Sequence, residues 1–435
     1  MIISCNFAPD YHYTYNFFLP MRKTVKLVFI LSVILSQSVM HAQWWDPVKK
    51  CVANVNGECV PNTVLSTLPF LRITPDARGG AMGDVGVALT PDAHSMHFNA
   101  STLAFSEEKS AIGITYTPWL TNFNLDDIFL AYISGYYKLD KNQAVGGAIR
   151  FFSLGDVQFT DERGTELDVG RPREIEGSLL YTRKLGDNFS ASLTGKYIYS
   201  NLATGQQVRG VDIVSARSYA ADLGLNYRKK VTLSGYPGEL SVGVAITNIG
   251  SKVSYTANAP FREYIPTNLG LGTALRLDFD KYNTMTFALD INKMLVPTPI
   301  PRNQINEDGT IETNPECDQD GNGICDFLEK PLFRAMVESF YDAQGGFDEE
   351  LKEYTIGVGV EYWYDKQFAA RLGYYYESPL KGNRRFFTVG AGIKYNVFGI
   401  NLSYLVPTSN QPNPLDNTLR FSLLFDFSVF QSDVE

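Results

Sequence analysis

Apolar side chains alternate with polar or small ones, at a strict period of two, along most of this chain. Between Tyr354 and Tyr364, Tyr354, Ile356, Val358, Val360, Tyr362 and Tyr364 share one face, and Thr355, Gly357, Gly359, Glu361 and Trp363 share the other. Successive side chains of a strand point to opposite sides, so the pattern predicts a strand with one apolar face. The same split separates Phe387, Val389, Ala391, Ile393 and Tyr395 from Thr388, Gly390, Gly392 and Lys394. It also separates Leu419, Phe421, Leu423, Phe425 and Phe427 from Arg420, Ser422, Asp426 and Ser428. Strands are predicted near residues 110–120, 127–138, 144–158, 173–185, 189–203, 217–230, 239–256, 268–279, 285–295, 353–364, 368–378, 385–397, 399–408 and 418–430, fourteen in all.

Alternation alone also fits a soluble sandwich. Three further features select a membrane barrel. The segments run about ten residues, the length a tilted strand needs to cross a bilayer, against ~5–6 in soluble sheets. Aromatic residues gather near the segment ends, where interfacial girdles lie. The connections alternate in length: tight at Asp140–Gln143, Gly186–Asn188, Asp280–Thr284 and Asp365–Gln367, long at residues 159–172, 204–216, 257–267, 296–352 and 409–417. Short periplasmic turns with long outer loops are the layout of a bacterial outer-membrane barrel, and closure removes exposed sheet edges. The predicted fold is therefore all-β, a 14-stranded antiparallel transmembrane barrel over residues 110–430 in the Gram-negative outer membrane. Its N-terminus is expected in the periplasm, with residues 43–109 as a periplasmic or plug-like segment and 296–352 as a long extracellular insertion.

Composition agrees with strands, since 28 Phe, 25 Tyr and 36 Gly stand in 435 residues. A net charge of −9 with no clustered basic run argues against a nucleic-acid partner. The acidity is local, because residues 296–352 hold 4 basic and 13 acidic side chains and the rest of the chain balances. At the N-terminus, Met21, Arg22, Lys23 and Lys26 precede an apolar stretch from Leu27 to Leu35, followed by Met40, His41 and Ala42. This is the charged start, short apolar core and small residue of a signal peptide, and the apolar stretch is about half the ~20 residues of a spanning helix. Residues 1–42 are accordingly expected to be a non-mature leader, with the signal proper at 21–42 and the mature chain starting near Gln43. Four cysteines then remain in an oxidising compartment, as two close pairs, Cys51 with Cys59 and Cys317 with Cys325. Local bridges are favoured over zinc, because neither pair has zinc-knuckle spacing or a His neighbour.

One segment suggests metal chemistry. Asp318, Asp320, Asn322, Asp326 and Glu329 fall at positions 1, 3, 5, 9 and 12 of a calcium loop, with Gly323 at the sharply turned sixth position. Ile324 stands at the seventh, where a backbone carbonyl is the ligand. Calcium takes several hard oxygens around a sharp turn, so Ca2+ is the expected cofactor; a solvated, disulfide-held acidic turn is the alternative. Directly after it, Leu332, Phe333, Met336, Val337 and Phe340 recur at helical spacing. A short amphipathic helix in an outer loop must bury that face over the barrel mouth or against a partner. Catalysis finds little support, since after signal removal only His94 and His97 remain, both ahead of the first strand. Gly270 with Gly272, Gly357 with Gly359 and Gly390 with Gly392 sit inside strands, where small residues ease crowding, so nucleotide binding is not expected.

The stretch Thr74 to Asp84 (TPDARGGAMGD), followed by His97, Phe98, Asn99 and Ala100, is similar to the N-terminal signature of the long-chain fatty-acid-transporter-like (FadL-like) barrels. More narrowly, with Ala245 to Lys252, Tyr255, Tyr264 to Leu269 and the acidic insertion, the chain resembles the PorV (LptO) family of the Bacteroidetes type IX secretion system. The resemblance implies a 14-stranded barrel that does no chemistry. It implies as partners the type IX translocon, the C-terminal signal domains of secreted cargo, and a surface attachment complex that includes the sortase. The alternative is a FadL-like transporter of hydrophobic small molecules, which should show an apolar lumen pocket and an opening in its wall, whereas an adaptor should carry apolar surface on its outer loops.

Overall fold

The computed structural model describes residues 44–46, 48–54, 56–119, 127–160, 166–208, 210–305, 310–408 and 418–427. The expected leader, the start at Gln43 and the 409–417 connection lie outside the described residues. Fourteen strands form one closed barrel. They are β1 Ser110–Pro118, β2 Ile128–Lys138, β3 Gln143–Leu154, β4 Arg173–Lys184, β5 Phe189–Asn201, β6 Ala216–Leu233 and β7 Tyr236–Gly250. The second half comprises β8 Asn268–Asp278, β9 Asn283–Met294, β10 Thr355–Tyr364, β11 Phe368–Tyr376, β12 Arg385–Tyr395, β13 Phe398–Pro407 and β14 Leu419–Asp426. Every neighbour is antiparallel, and β14 closes on β1 with Phe421 opposite Tyr116 and Asp426 opposite Ala111.

The period-two pattern sets which face meets lipid. On β10 Ile356 and Val358 point outward while Thr355, Gly357, Gly359 and Glu361 are buried. On β14 Phe421 and Leu423 are exposed and Arg420 and Ser422 are buried. Outward aromatics form belts at both rims: Tyr137, Phe189, Tyr236, Tyr364 and Phe398 near the short turns, and Tyr116, Tyr219, Phe387 and Tyr404 toward the long loops. Such belts mark the two membrane interfaces, and the long-loop end is the extracellular one.

Residues 70–106 fill the lumen as short helical turns and irregular chain. The wall glycines are what admit them. Gly83, at φ +76°, lies against β10 and β11, where an added Cβ would sit 2.5 Å from the Tyr374 carbonyl oxygen. A Cβ on Gly357 would likewise stand 2.5 Å from the Gly83 carbonyl oxygen. These glycines therefore serve close approach of the plug backbone, beyond easing crowding within the wall. Ion pairs lock the plug to the wall. Arg78 donates from Nε and Nη2 to Glu361 at 2.9 and 2.8 Å, and Arg371 donates from Nε to the same carboxylate at 2.7 Å.

The path of the N-terminal segment corrects the expected topology. Trp44–Asp46 pairs in parallel with Asn303–Ile305 of the long insertion, and antiparallel with Cys51–Ala53. Asn62 donates its backbone N–H to the Leu380 carbonyl in the β11–β12 connection, and Thr67 to the Tyr264 carbonyl between β7 and β8. The described chain thus begins among the outer loops, descends through the lumen, and reaches the periplasmic rim at Lys109, next to Lys138. Within the described N-terminal segment, the periplasmic end is the part that leads into β1.

Candidate functional site: a cap over the outer mouth

The β9–β10 connection, residues 295–354, forms a cap whose inner side is polar and tightly held. Lys293 at the outer end of β9 donates to Glu350 at 2.9 Å and Glu353 at 2.7 Å, and Lys381 to Glu349 at 2.6 Å and Glu353 at 3.0 Å. Thr298 donates its hydroxyl proton among Glu353 and Asp342, whose oxygens lie 2.6 and 3.0 Å away. Burial foremost, with the neighbouring Glu350 and Glu353 carboxylates, pushes the Asp342 carboxyl up to about 6 against the Thr298 hydrogen bond and Lys330. Buried charges are tolerated here because each is paired. The Tyr264 hydroxyl, donating toward the Lys330 carbonyl at 2.6 Å, and Lys252, donating to the Leu328 carbonyl at 2.7 Å, tie the cap to the β7–β8 loop.

The helix α1, Leu332–Glu338, lies on this cap. Ala335 packs inward with Tyr264, Met294 and Val296, Leu332 is half-buried beside them, and Met336 is buried as well. Phe333 is 71% exposed, Val337 62% and Phe340 41%, with Tyr341 and Phe347 also uncovered. The expected single apolar face is therefore two faces. Met336 belongs to the one that anchors the helix, and only Phe333, Val337 and Phe340 remain as outward candidates.

Cys51 and Cys59 are bonded with Cα atoms 5.7 Å apart, and Cys317 and Cys325 with Cα atoms 4.5 Å apart. The second bridge spans the first part of the acidic loop. Carboxylate oxygens of Asp318, Asp320 and Asp326 lie within 4.8 Å of one another, a cluster able to coordinate a divalent ion. Gly323, at φ +85°, makes the sharp turn, and its N–H donates to Asp318 at 2.8 Å. The Asn322 side chain donates to Asp320 at 3.0 Å and Glu329 at 3.1 Å, drawing Glu329 toward the cluster, while its oxygen accepts the Ile324 N–H at 2.7 Å.

The histidines are packing groups in the plug. His94 lies 3.0 Å from the Ser134 hydroxyl and 3.3 Å from that of Thr115, and His97 lies 2.6 Å from an Arg150 nitrogen. Between plug and wall a cavity of about 100 Å3 is lined by polar groups that include Arg72, Asp84, His97, Asp290 and Arg384. Around the full circumference, adjacent strands are hydrogen-bonded.

A closed 14-stranded barrel with two aromatic belts and a folded lumen plug defines an outer-membrane barrel protein. A family model described as "Type IX secretion system protein PorV" matches residues 57–301, more than half of the chain, and the chain belongs to that family. Among curated proteins, none matches the sequence. Solved structures that it resembles include the Ralstonia pickettii toluene transporter TbuX, at 12% identity over 82% of this chain and 98% of that one, with a TM-score of 0.44. The P. putida toluene transporter TodX aligns at 13% identity over 82% and 98%, with a TM-score of 0.45. A Pseudomonas aeruginosa FadL homologue aligns at 10% identity over 82% and 99%, with a TM-score of 0.42.

Proposed function

We propose that this barrel is the outer-membrane component of type IX secretion that binds secreted cargo through its C-terminal signal domain. It passes the cargo from the translocon to the surface attachment complex containing the sortase. Family membership supplies the secretion context. The observation that carries the hand-off is the outward patch of Phe333, Val337 and Phe340, raised on a cap whose opposite side is anchored by Ala335, Met336 and the Lys293–Glu350–Glu353 cluster. A rigidly held, exposed apolar patch on an outer loop is where a protein partner gains contact energy. Calcium held by Asp318, Asp320, Asn322, Asp326, Glu329 and the Ile324 carbonyl would supply a hard cation that ties the acidic loop together, which fits the carboxylate cluster present.

The transporter reading calls for an apolar lumen pocket, and the cavities at the plug are lined mainly by charged and polar groups. The test is to solubilise outer membrane in detergent, capture the tagged barrel and identify what co-purifies. The hand-off predicts translocon components and cargo in the eluate. A barrel recovered alone at normal abundance contradicts it.

A further inference from the structure

The N-terminal segment does more than pass through the outer loops, because it is built into them. Trp44–Asp46 is an interior strand of a four-stranded outer sheet, between Asn303–Ile305 of the cap and Cys51–Ala53. Trp44 and Trp45 are buried there. Further along, Asn62 donates its side-chain N–H to the Pro299 carbonyl at 3.1 Å, and Val64 packs against Tyr264, Met294, Val296 and Ala335. Thr67 gives both its backbone N–H and its hydroxyl to the Tyr264 carbonyl, each at 2.9 Å. With the Asn62 backbone on Leu380, this stretch is a strap fastened to the β7–β8, β9–β10 and β11–β12 connections.

The strap meets the plug at Leu68, and that residue is strained. Its φ of 60° and ψ of 49° lie in the left-handed region, which a Cβ disfavours. Pro69 follows, and a proline ring pushes the residue before it toward extended backbone, with ψ of about 120–160°. Leu68 is therefore held against both preferences. On the strap side Thr67 is fixed to Tyr264, and on the plug side Arg150 of β3 donates from Nη1 to the Phe70 and Leu71 carbonyls at 3.1 and 2.9 Å. The Leu68 side chain, 1% exposed, lies in the same buried cluster as Phe70 and Leu71. A strained backbone persists only where its surroundings over-determine it.

We propose that Leu68 is a spring-loaded joint that couples the outer cap to the top of the plug. With the strap in the outer sheet, Thr67 is pinned, Leu68 is held left-handed, and Phe70 and Leu71 sit on Arg150. With the strap released, Leu68 relaxes to extended backbone and swings residues 69–73 off Arg150. The base of the plug stays in place, because Arg78 is clamped separately by Glu361 and Asp92. Whatever lifts the strap from the cap therefore loosens the plug from outside. The joint does not involve the outward patch on α1 and stands apart from the hand-off reading.

The test is hydrogen–deuterium exchange on the full-length, detergent-purified barrel, unaltered and with Trp44→Ser and Trp45→Ser combined. The double substitution removes the buried anchors of the strap and touches no plug residue. The Leu71 and Ile73 amides, which donate to the Leu68 and Phe70 carbonyls, should exchange at least about tenfold faster, while Gly80 and Ala81 in the base keep their rates. Adding Pro69→Ala, which lifts the proline's restriction on Leu68, should return part of the protection; a strap that served only as cover would show no such rescue. Unchanged exchange at 69–73 in the double variant overturns the coupling, and absence of rescue overturns the strained joint as its cause. Should the double variant not fold, the unaltered barrel decides through exchange in rising urea: Thr67, Leu71 and Ile73 should open as one unit with a common slope, and separate slopes overturn the proposal.

Discussion

Replacing Glu361 by Ala removes a carboxylate that holds the plug to β10 and β11. Glu361 is 1% exposed and accepts from Arg78 at 2.9 and 2.8 Å and from Arg371 at 2.7 Å. Without it, two buried guanidiniums face each other with reduced counter-charge. Removing one partner of a buried ion pair costs about 3–5 kcal/mol. Asp92 remains 3.0 Å from Arg78, and Asn401 remains hydrogen-bonded to Arg371 at 2.9 Å, so the lower end of that range applies. Against a typical native stability of about 5–15 kcal/mol this is a large fraction. The assay is the urea midpoint of the heat-modifiable folded band, together with trypsin cleavage after Arg78 in the purified barrel. Glu361→Ala should lower the midpoint and expose Arg78 to trypsin. Adding Arg78→Met should restore part of the loss by removing one of the two cations that Glu361 neutralised. A wild-type midpoint with an uncut plug in Glu361→Ala would refute the clamp.

Calcium should protect residues 310–345 from proteolysis, and Asp318→Ala with Glu329→Ala should abolish the protection; equal digestion with calcium and with chelator would leave only the disulfide-held turn. Cap stability should depend on pH through Asp342. Its folded-state pKa of about 6 lies above the ordinary aspartate value of 3.8, so the folded cap holds the extra proton between those values. Asp342 therefore makes the cap tighter as pH falls from about 6 to about 4, and Asp342→Asn should flatten that slope in a limited-proteolysis series. An epitope inserted after Val48, which is 89% exposed beside the outer cap, should bind antibody on intact cells; binding only after outer-membrane permeabilisation would contradict the threaded path of the N-terminal segment.

The barrel was legible because lipid imposes its pattern on every strand. Ile356, Val358, Phe421 and Leu423 had to be apolar whatever lay inside, and such alternation located the strands, with the expected 239–256 running past the observed end at Gly250. The lumen followed a different rule, set by contacts between residues far apart in sequence. Nothing local in Arg78 or Glu361 announces that they meet across 283 positions. The outer position of Trp44–Asp46 rests on three-residue strands paired with Asn303–Ile305, too short to give a periodic signal. In α1, apolar residues stand on two sides, so spacing alone merged the anchoring Met336 with the exposed Phe333 and Val337. The carboxylate cluster was legible because Asp318, Asp320 and Asp326 lie close in sequence around a turn at Gly323, so their approach needs no long-range contact.

The hand-off is tested most directly by Phe333→Ser, Val337→Ser and Phe340→Ser combined, which alter the outward patch and leave Met336 and all fourteen strands unchanged. The measurement is cargo at the cell surface and in the medium, set against barrel abundance in the outer membrane. The account predicts a clear fall in exported cargo with the barrel at normal level, since exposed apolar anchors usually dominate such contacts. Normal cargo export by the triple variant, with uptake of a hydrophobic nutrient lost when the gene is deleted, would contradict it and favour the transporter.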